Sequence, residues 1–168
     1  YAARYLEAVH AAILKYENPP AILTSFASMS TNEEPDLWRA PLGMPTLLRG
    51  HELLSRYWRG QLKIMAHAGV YERSFLIANG GIEPLADSPF GLFAEYLLLI
   101  RTGLLDRIAF IDSPLALYRV HDNSWSSSTR EPALMVEASR NLVKESWAIL
   151  RQPPLRTNFG FHLYYCLL

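Results

Sequence analysis

Pro114-Leu115-Ala116-Leu117-Tyr118-Arg119-Val120-His121 is the stretch that decides how the rest of the chain is read. It is apolar at first, then ends in a guanidinium and an imidazole, two groups that are costly to bury. A strand that leaves the core in this way is aimed at something anionic or at a metal. Pro114 marks where that strand is entered, because it has no amide to give to a neighbour.

Outward from this run, Ile108 to Asp112 reads as another strand, preceded by a helix over Phe90 to Leu104. That helix holds one acid, Glu95, among Phe93, Tyr96, Leu97, Leu98 and Leu99. Before it come a helical turn over Ser74 to Asn79, the pair Gly80-Gly81, which adopts backbone conformations other residues resist, and a loop from Ile82 to Pro89. At the start of the chain Tyr5, Leu6, Val9, Ala12, Ile13 and Tyr16 recur at helical spacing until Asn18-Pro19-Pro20 stops the helix. Ala21 to Phe26 has no helical period and fits a strand buried on both faces.

Met29 to Met44 is rich in Ser, Thr, Asn, Glu and Pro, an irregular excursion anchored by Trp38. Leu47, Leu48, His51, Leu53, Leu54 and Tyr57 predict a second helix that Gly60 ends, followed by a short strand near Ala68 to Glu72. Asn123 to Arg130 is polar, and Pro132 suits the first turn of a last helix that runs to about Leu150 and stops before Pro153-Pro154. Strands separated by helices make this an α/β chain with a mixed sheet.

Composition narrows the function classes. Half of the 168 residues are hydrophobic and the formal net charge is zero, which argues against disorder and against a general electrostatic attraction to nucleic acid or anionic lipid. One cysteine, Cys166, leaves no internal disulfide framework and no cysteine-based zinc site. No run reaches the roughly 18 to 20 apolar residues of a membrane span, and Tyr1-Ala2-Ala3-Arg4 lacks the form of a signal peptide, so the chain reads as soluble. The opening on Tyr1 and the apolar close from Phe159 to Leu168 read as cuts in a longer polypeptide. No phosphate loop, dinucleotide fingerprint or nucleophile elbow is present.

Taken in order, Gly80-Gly81-Ile82-Glu83, the stretch from Ala94-Glu95-Tyr96 to Arg101-Thr102-Gly103, and the Tyr118-Arg119-Val120-His121 strand end resemble the acceptor half of family 2 glycosyltransferases with the GT-A fold. The likeness runs from about Tyr1 to Ser128. It implies a partial GT-A (Rossmann-like) fold, a mixed sheet flanked by helices. Residues 1–128 would be the acceptor-side portion, without the N-terminal nucleotide-binding half, and 129–168 a C-terminal helical extension. The reaction it implies is an inverting displacement in which an acceptor hydroxyl attacks a nucleotide-activated sugar.

An acidic pair opens the corresponding helix in that family, and its second member takes the proton of the attacking hydroxyl. Ala94-Glu95 stands in that place here, so the first acid is absent and Glu95 is the implied base. Asp87 is the other candidate. Arg119, His121, Trp125, Gly80 and Gly81 are implied contacts to substrate or diphosphate, with His121 also a metal ligand. A divalent cation, Mg or Mn, is expected in the full-length protein. The implied partners are a nucleotide-sugar donor and a glycan or other hydroxyl acceptor, with no nucleic acid. The implied location is cytoplasmic, with membrane association through a C-terminal continuation as a further reading.

Plainer readings stand beside each of these. Glu95 could be a solvated acid paired with Arg101 or Arg107, Asp87 a turn former, and His121 a hydrogen-bonded surface histidine. Arg119 could pair with Asp112 or Asp122, and Trp125 could sit in a simple connector. His10, His51 and His67 have no metal-ligand spacing and read as structural; Arg49, Arg56 and Arg59 near Trp58 read as a solvated helix face. No Asp-x-Asp occurs, so the donor site is missing from these residues and the chain alone is expected to be inactive. The alternative function is an inactive interaction module that holds a partner through the Met29 to Met44 loop or the apolar C-terminus.

Overall fold

The computed structural model describes residues 2, 4–29, 42–81, 93–119 and 131–158. Trp38 and most of the excursion around it lie outside that set.

Two long strands form the centre. β1 (Ala21–Met29) runs parallel to β4 (Ile108–Arg119), and two short strands flank them, β2 (Thr46–Leu48) antiparallel to β4 and β3 (Val70–Tyr71) antiparallel to β1. The order across the mixed sheet is β2-β4-β1-β3. Between β1 and β4 the chain passes through helices α2 (Gly50–Trp58), α3 (Arg73–Ala78) and α4 (Ala94–Thr102), the long crossover that a parallel pair requires.

Side chains alternate along both central strands, and the two sets face different cores. Ala21, Leu23, Ile108 and Phe110 join one buried cluster, while Ile22, Ala109 and Ile111 join the other. The second face is covered by α1 (Tyr5–Lys15) through Tyr5, Ala8, Val9 and Ala12. The first is covered by α2 and α4 and by α5 (Pro132–Leu150) and α6 (Leu155–Asn158), whose Leu142, Ile149, Leu150 and Leu155 pack with Leu97 to Ile100. Burial on both faces explains why the β1 sequence is a continuous apolar run rather than an alternating one. Among the described residues no helix is long and apolar enough to cross a membrane.

Three expected boundaries move. β1 runs to Met29, three residues past its expected end at Phe26 and into the start of the expected excursion. Leu47 and Leu48 are not in the second helix but in β2, paired with Ala109 and Ile108. The helix starts at Gly50, after an extended Arg49, and Gly50 lies directly on the end of α4. A Cβ at Gly50 would sit 2.2 Å from the Thr102 carbonyl oxygen, and the Gly50 amide donates to the Leu105 carbonyl at 2.8 Å. Gly103 is as crowded in return, with a Cβ there falling 2.2 Å from Leu54 Cδ1.

The two strands expected over Ile108–Asp112 and Leu115–His121 are one. β4 continues through Pro114 because its register against β1 jumps there: Thr24 faces Ile111, Ser25 faces Pro114 and Phe26 faces Ala116. Asp112 and Ser113 before Pro114, and Leu115 after it, are extra against β1, an irregular bulge that takes a residue without an amide hydrogen. The loop-out is tied on both sides, with Ser25 Oγ donating to Asp112 Oδ1 at 3.0 Å and the Gly43 amide donating to Ser113 Oγ at 2.6 Å.

Candidate functional site

A cavity of about 390 Å³ opens at the carboxyl ends of the parallel strands β1 and β4. This is where open α/β sheets place their ligands, because the loops that follow parallel strands diverge there. β1 supplies Phe26 and Ser28, β4 supplies Tyr118, α2 supplies Tyr57, α4 supplies Glu95 and Tyr96, and the connection after α2 supplies Lys63 and Met65. All the strand residues come from beyond the bulge.

Glu95 enters the cavity from the first turn of α4. Phe93, at the N-cap, has φ +65°, a left-handed turn that brings the chain into the helix at this point. The Glu95 carboxylate does not pair with Arg101 or Arg107. Its Oε2 is 2.6 Å from His67 Nδ1, while Arg101 donates to the Gly81 carbonyl and Arg107 to those of Glu17 and Asn18.

His67 is held from both ends of a single 3-10 turn, Ala66–Ala68. Tyr71 donates its hydroxyl to the Ala66 carbonyl at 2.5 Å, and Tyr5, from α1 on the far side of the sheet, donates to the Ala68 carbonyl at 2.6 Å. The imidazole is therefore mounted on a fixed piece of backbone. Its hydrogen bond to Glu95 lifts the His67 pKa above its ordinary value, against the opposing effect of partial burial. Both side chains remain more than 40% exposed, so water screens the pair and each keeps access to solvent.

Burial acts the other way on the neighbouring phenols. It pushes Tyr57 up to about 12, with smaller contributions from Tyr96 and Glu95, and it raises Tyr96 with help from Glu95 and Tyr118. These hydroxyls stay protonated at any physiological pH and can both donate and accept. Among the described residues neither the Tyr57 nor the Tyr96 hydroxyl has a hydrogen-bond partner.

The other residues singled out in the sequence are placed as follows. Arg119 is exposed at the end of β4, opposite Met29, and does not line the cavity. Gly80 and Gly81 both have positive φ and close α3 against Arg101, which donates to the Gly81 carbonyl at 3.4 Å. Arg101 is six residues along α4 from Glu95, roughly 9 Å at the rise of an α-helix, so the glycine pair belongs to the other end of that helix. Asp87, His121 and Trp125 lie outside the described residues. Arg56 pairs with Glu52 on the surface of α2, as a solvated helix face would.

His67 is the clearest case of a residue whose partner only the fold reveals. It reads as structural in sequence because it has no partner at metal-ligand or helical spacing, and only the fold brings it to an acid 28 residues later. Tyr96 gives no local signal either, since an aromatic residue beside leucines reads as core, and Tyr57 reads only as part of a helix face; Tyr118 lies in the strand end that the sequence does single out, where Arg119 and His121 draw the attention. Among the described residues no group of three His, Cys, Asp or Glu side chains converges to hold a metal. No family model matches the chain, and no curated protein or solved structure matches it.

Proposed function

We propose that this chain is the acceptor-side portion of a glycosyltransferase similar to family 2, and that it works by inverting displacement. The observation that carries the reading is the position of Glu95. The one acid of an otherwise apolar helix lines a cavity at the carboxyl ends of two parallel strands, with one carboxylate oxygen held by His67 and the other without a hydrogen-bond partner among the described residues.

Oε1 is then the atom that takes the proton of the acceptor hydroxyl while that oxygen attacks the anomeric carbon and the nucleoside diphosphate leaves. His67, bound to Oε2, limits the rotation of the carboxylate and holds Oε1 toward the cavity. Partial exposure of the pair gives the proton a way out to solvent. The divalent cation implied by the resemblance has no ligand set among the described residues, and Glu95's step is derived from the protein's own groups. The reading also requires a donor-binding part with an Asp-x-Asp motif, which these 168 residues do not contain.

The test is sugar transfer from a panel of nucleotide-sugar donors by the full-length protein, with Glu95→Gln as the variant. Loss of a general base costs on the order of 10² to 10⁴ in turnover. Donor binding is expected to be unchanged. Unaltered turnover in Glu95→Gln removes Glu95 from the base role.

Ala94 in the place of the family's first acid favours a second reading, an inactive module that keeps the fold and holds a partner. Absence of transfer with every donor, from a full-length protein that folds normally, would favour it.

A further inference from the structure

We infer that the cavity beside Glu95 is a subsite for a neutral pyranose ring, so that the acceptor is itself a sugar. The word acceptor rests on the function proposed above, whereas the ring's recognition rests on the lining alone.

Among the described residues the lining carries one cation, Lys63, and one carboxylate, Glu95. A diphosphate brings two or more negative charges and would meet that carboxylate with Lys63 the one ammonium in the described wall, His67 being already engaged by Glu95, so this wall suits a neutral ligand better than the donor's diphosphate. A lipid chain or an aliphatic peptide side chain fits no better. Such ligands would cover polar groups and leave them unpaired, and Ser28, Tyr57, Tyr96, Glu95 and Lys63 all line this cavity.

A sugar ring answers to both halves of the wall. Its hydroxyls are donors and acceptors at once, like the phenols, which partial burial and Glu95 keep protonated, and neither Tyr57 nor Tyr96 spends its hydroxyl on another described residue. Its C–H surface is weakly electropositive and suits aromatic rings, whose faces are negative. Phe26 and Tyr118 supply these from the two strands, packed edge to face with centroids 6.5 Å apart. Each of the four rings is only partly buried, which leaves ring surface open to a ligand. A volume near 390 Å³ admits one or two such rings.

The probe is a set of methyl pyranosides (gluco, galacto and manno) titrated into the chain while the tyrosine ring resonances are followed by NMR, with inorganic pyrophosphate as the competing chemistry. At least one pyranoside is expected to shift the rings of Tyr57, Tyr96 and Tyr118 with a dissociation constant in the low millimolar range, fitting for so small a ligand. Tyr57→Phe and Tyr96→Phe, which keep the ring and remove only the hydroxyl, should each weaken it by about fivefold. Three outcomes overturn the inference: no pyranoside shifting these rings at about 100 mM, equal affinity in the double Phe variant, or pyrophosphate shifting them at lower concentration than every sugar. The function itself is read separately by nucleotide-sugar transfer. Transfer to a non-sugar hydroxyl without pyranoside binding would remove this inference and keep the function. Pyranoside binding in a full-length protein that transfers nothing would do the reverse.

Discussion

β1 and β4 run side by side for their whole length, yet their two halves differ in kind. Before the bulge, Ile22 to Thr24 against Ala109 to Ile111 is regular and buried on both faces. Beyond it, Phe26 to Met29 against Ala116 to Arg119 is partly exposed and contributes Phe26, Ser28 and Tyr118 to the cavity. The extra residues Asp112, Ser113 and Leu115 separate scaffold from site within one pair of strands. A bulge re-aims the side chains that follow it, so the same backbone that fixes the core can present a different set of groups at its end.

The sharpest way to break this contrast is to truncate a side chain on each side of the bulge. Leu23→Ala, in the fully buried half, is expected to cost about 2 to 5 kcal/mol in chemical denaturation. Phe26→Ala, beyond the bulge and partly exposed, should cost clearly less than a fully buried aromatic would, below about 3 kcal/mol. Equal losses at the two positions would remove the distinction between scaffold and site.

A smaller effect tests how the scaffold supports the site. Tyr5→Phe removes the hydroxyl that ties α1 to the Ala68 carbonyl and leaves that buried acceptor unpaired, at a cost of roughly 1 to 3 kcal/mol. The same substitution should loosen His67, seen as broadening or doubling of its imidazole resonances. Sharp, unshifted His67 signals in that variant would mean the turn is held without α1.

The smallest effect is in the pH dependence. The folded-state pKa of His67 lies above its unfolded value near 6.5, so its pairing with Glu95 contributes stability that is fully present below that value and is lost as pH rises through the raised one. With both groups partly in water the contribution is about 0.2 to 1 kcal/mol. The stability difference between the native chain and His67→Gln should therefore shrink from mildly acidic to mildly alkaline pH. A difference that is flat or grows with pH would mean the imidazole draws nothing from the carboxylate.

What the sequence disclosed follows from the range of the forces involved. α1, stopped by Asn18-Pro19-Pro20, and α5, begun at Pro132 and ended before Pro153-Pro154, depend on local periodicity and on proline's missing amide, and their limits agree with the sequence reading to within a residue. β1 was legible as a doubly buried run. β4 was split in two because Pro114 normally interrupts a strand, and only its pairing with Ser25 shows that a bulge absorbs it. Leu47 and Leu48 read as helical because a leucine pair carries no sign of whether it faces a helix or a sheet; their pairing with Ala109 and Ile108 places them in β2. In the site, Glu95 stood out as an acid among leucines. His67 did not, because the bond that gives it a role joins two segments that only the crossover brings together.

The seating of Gly50 on Thr102 and Gly103 also bears on how relatives of this chain could be found. A Cβ at Gly50 would run into the backbone of Thr102 and Gly103, which leaves no room for a larger residue there, whereas at Gly103 it would meet the side chains of Leu54 and Leu155, apolar residues that can exchange for others of similar volume. A sequence that keeps glycine at the first place, with an acid eight positions before the second, would be a candidate for the same helix junction even where little other identity survives.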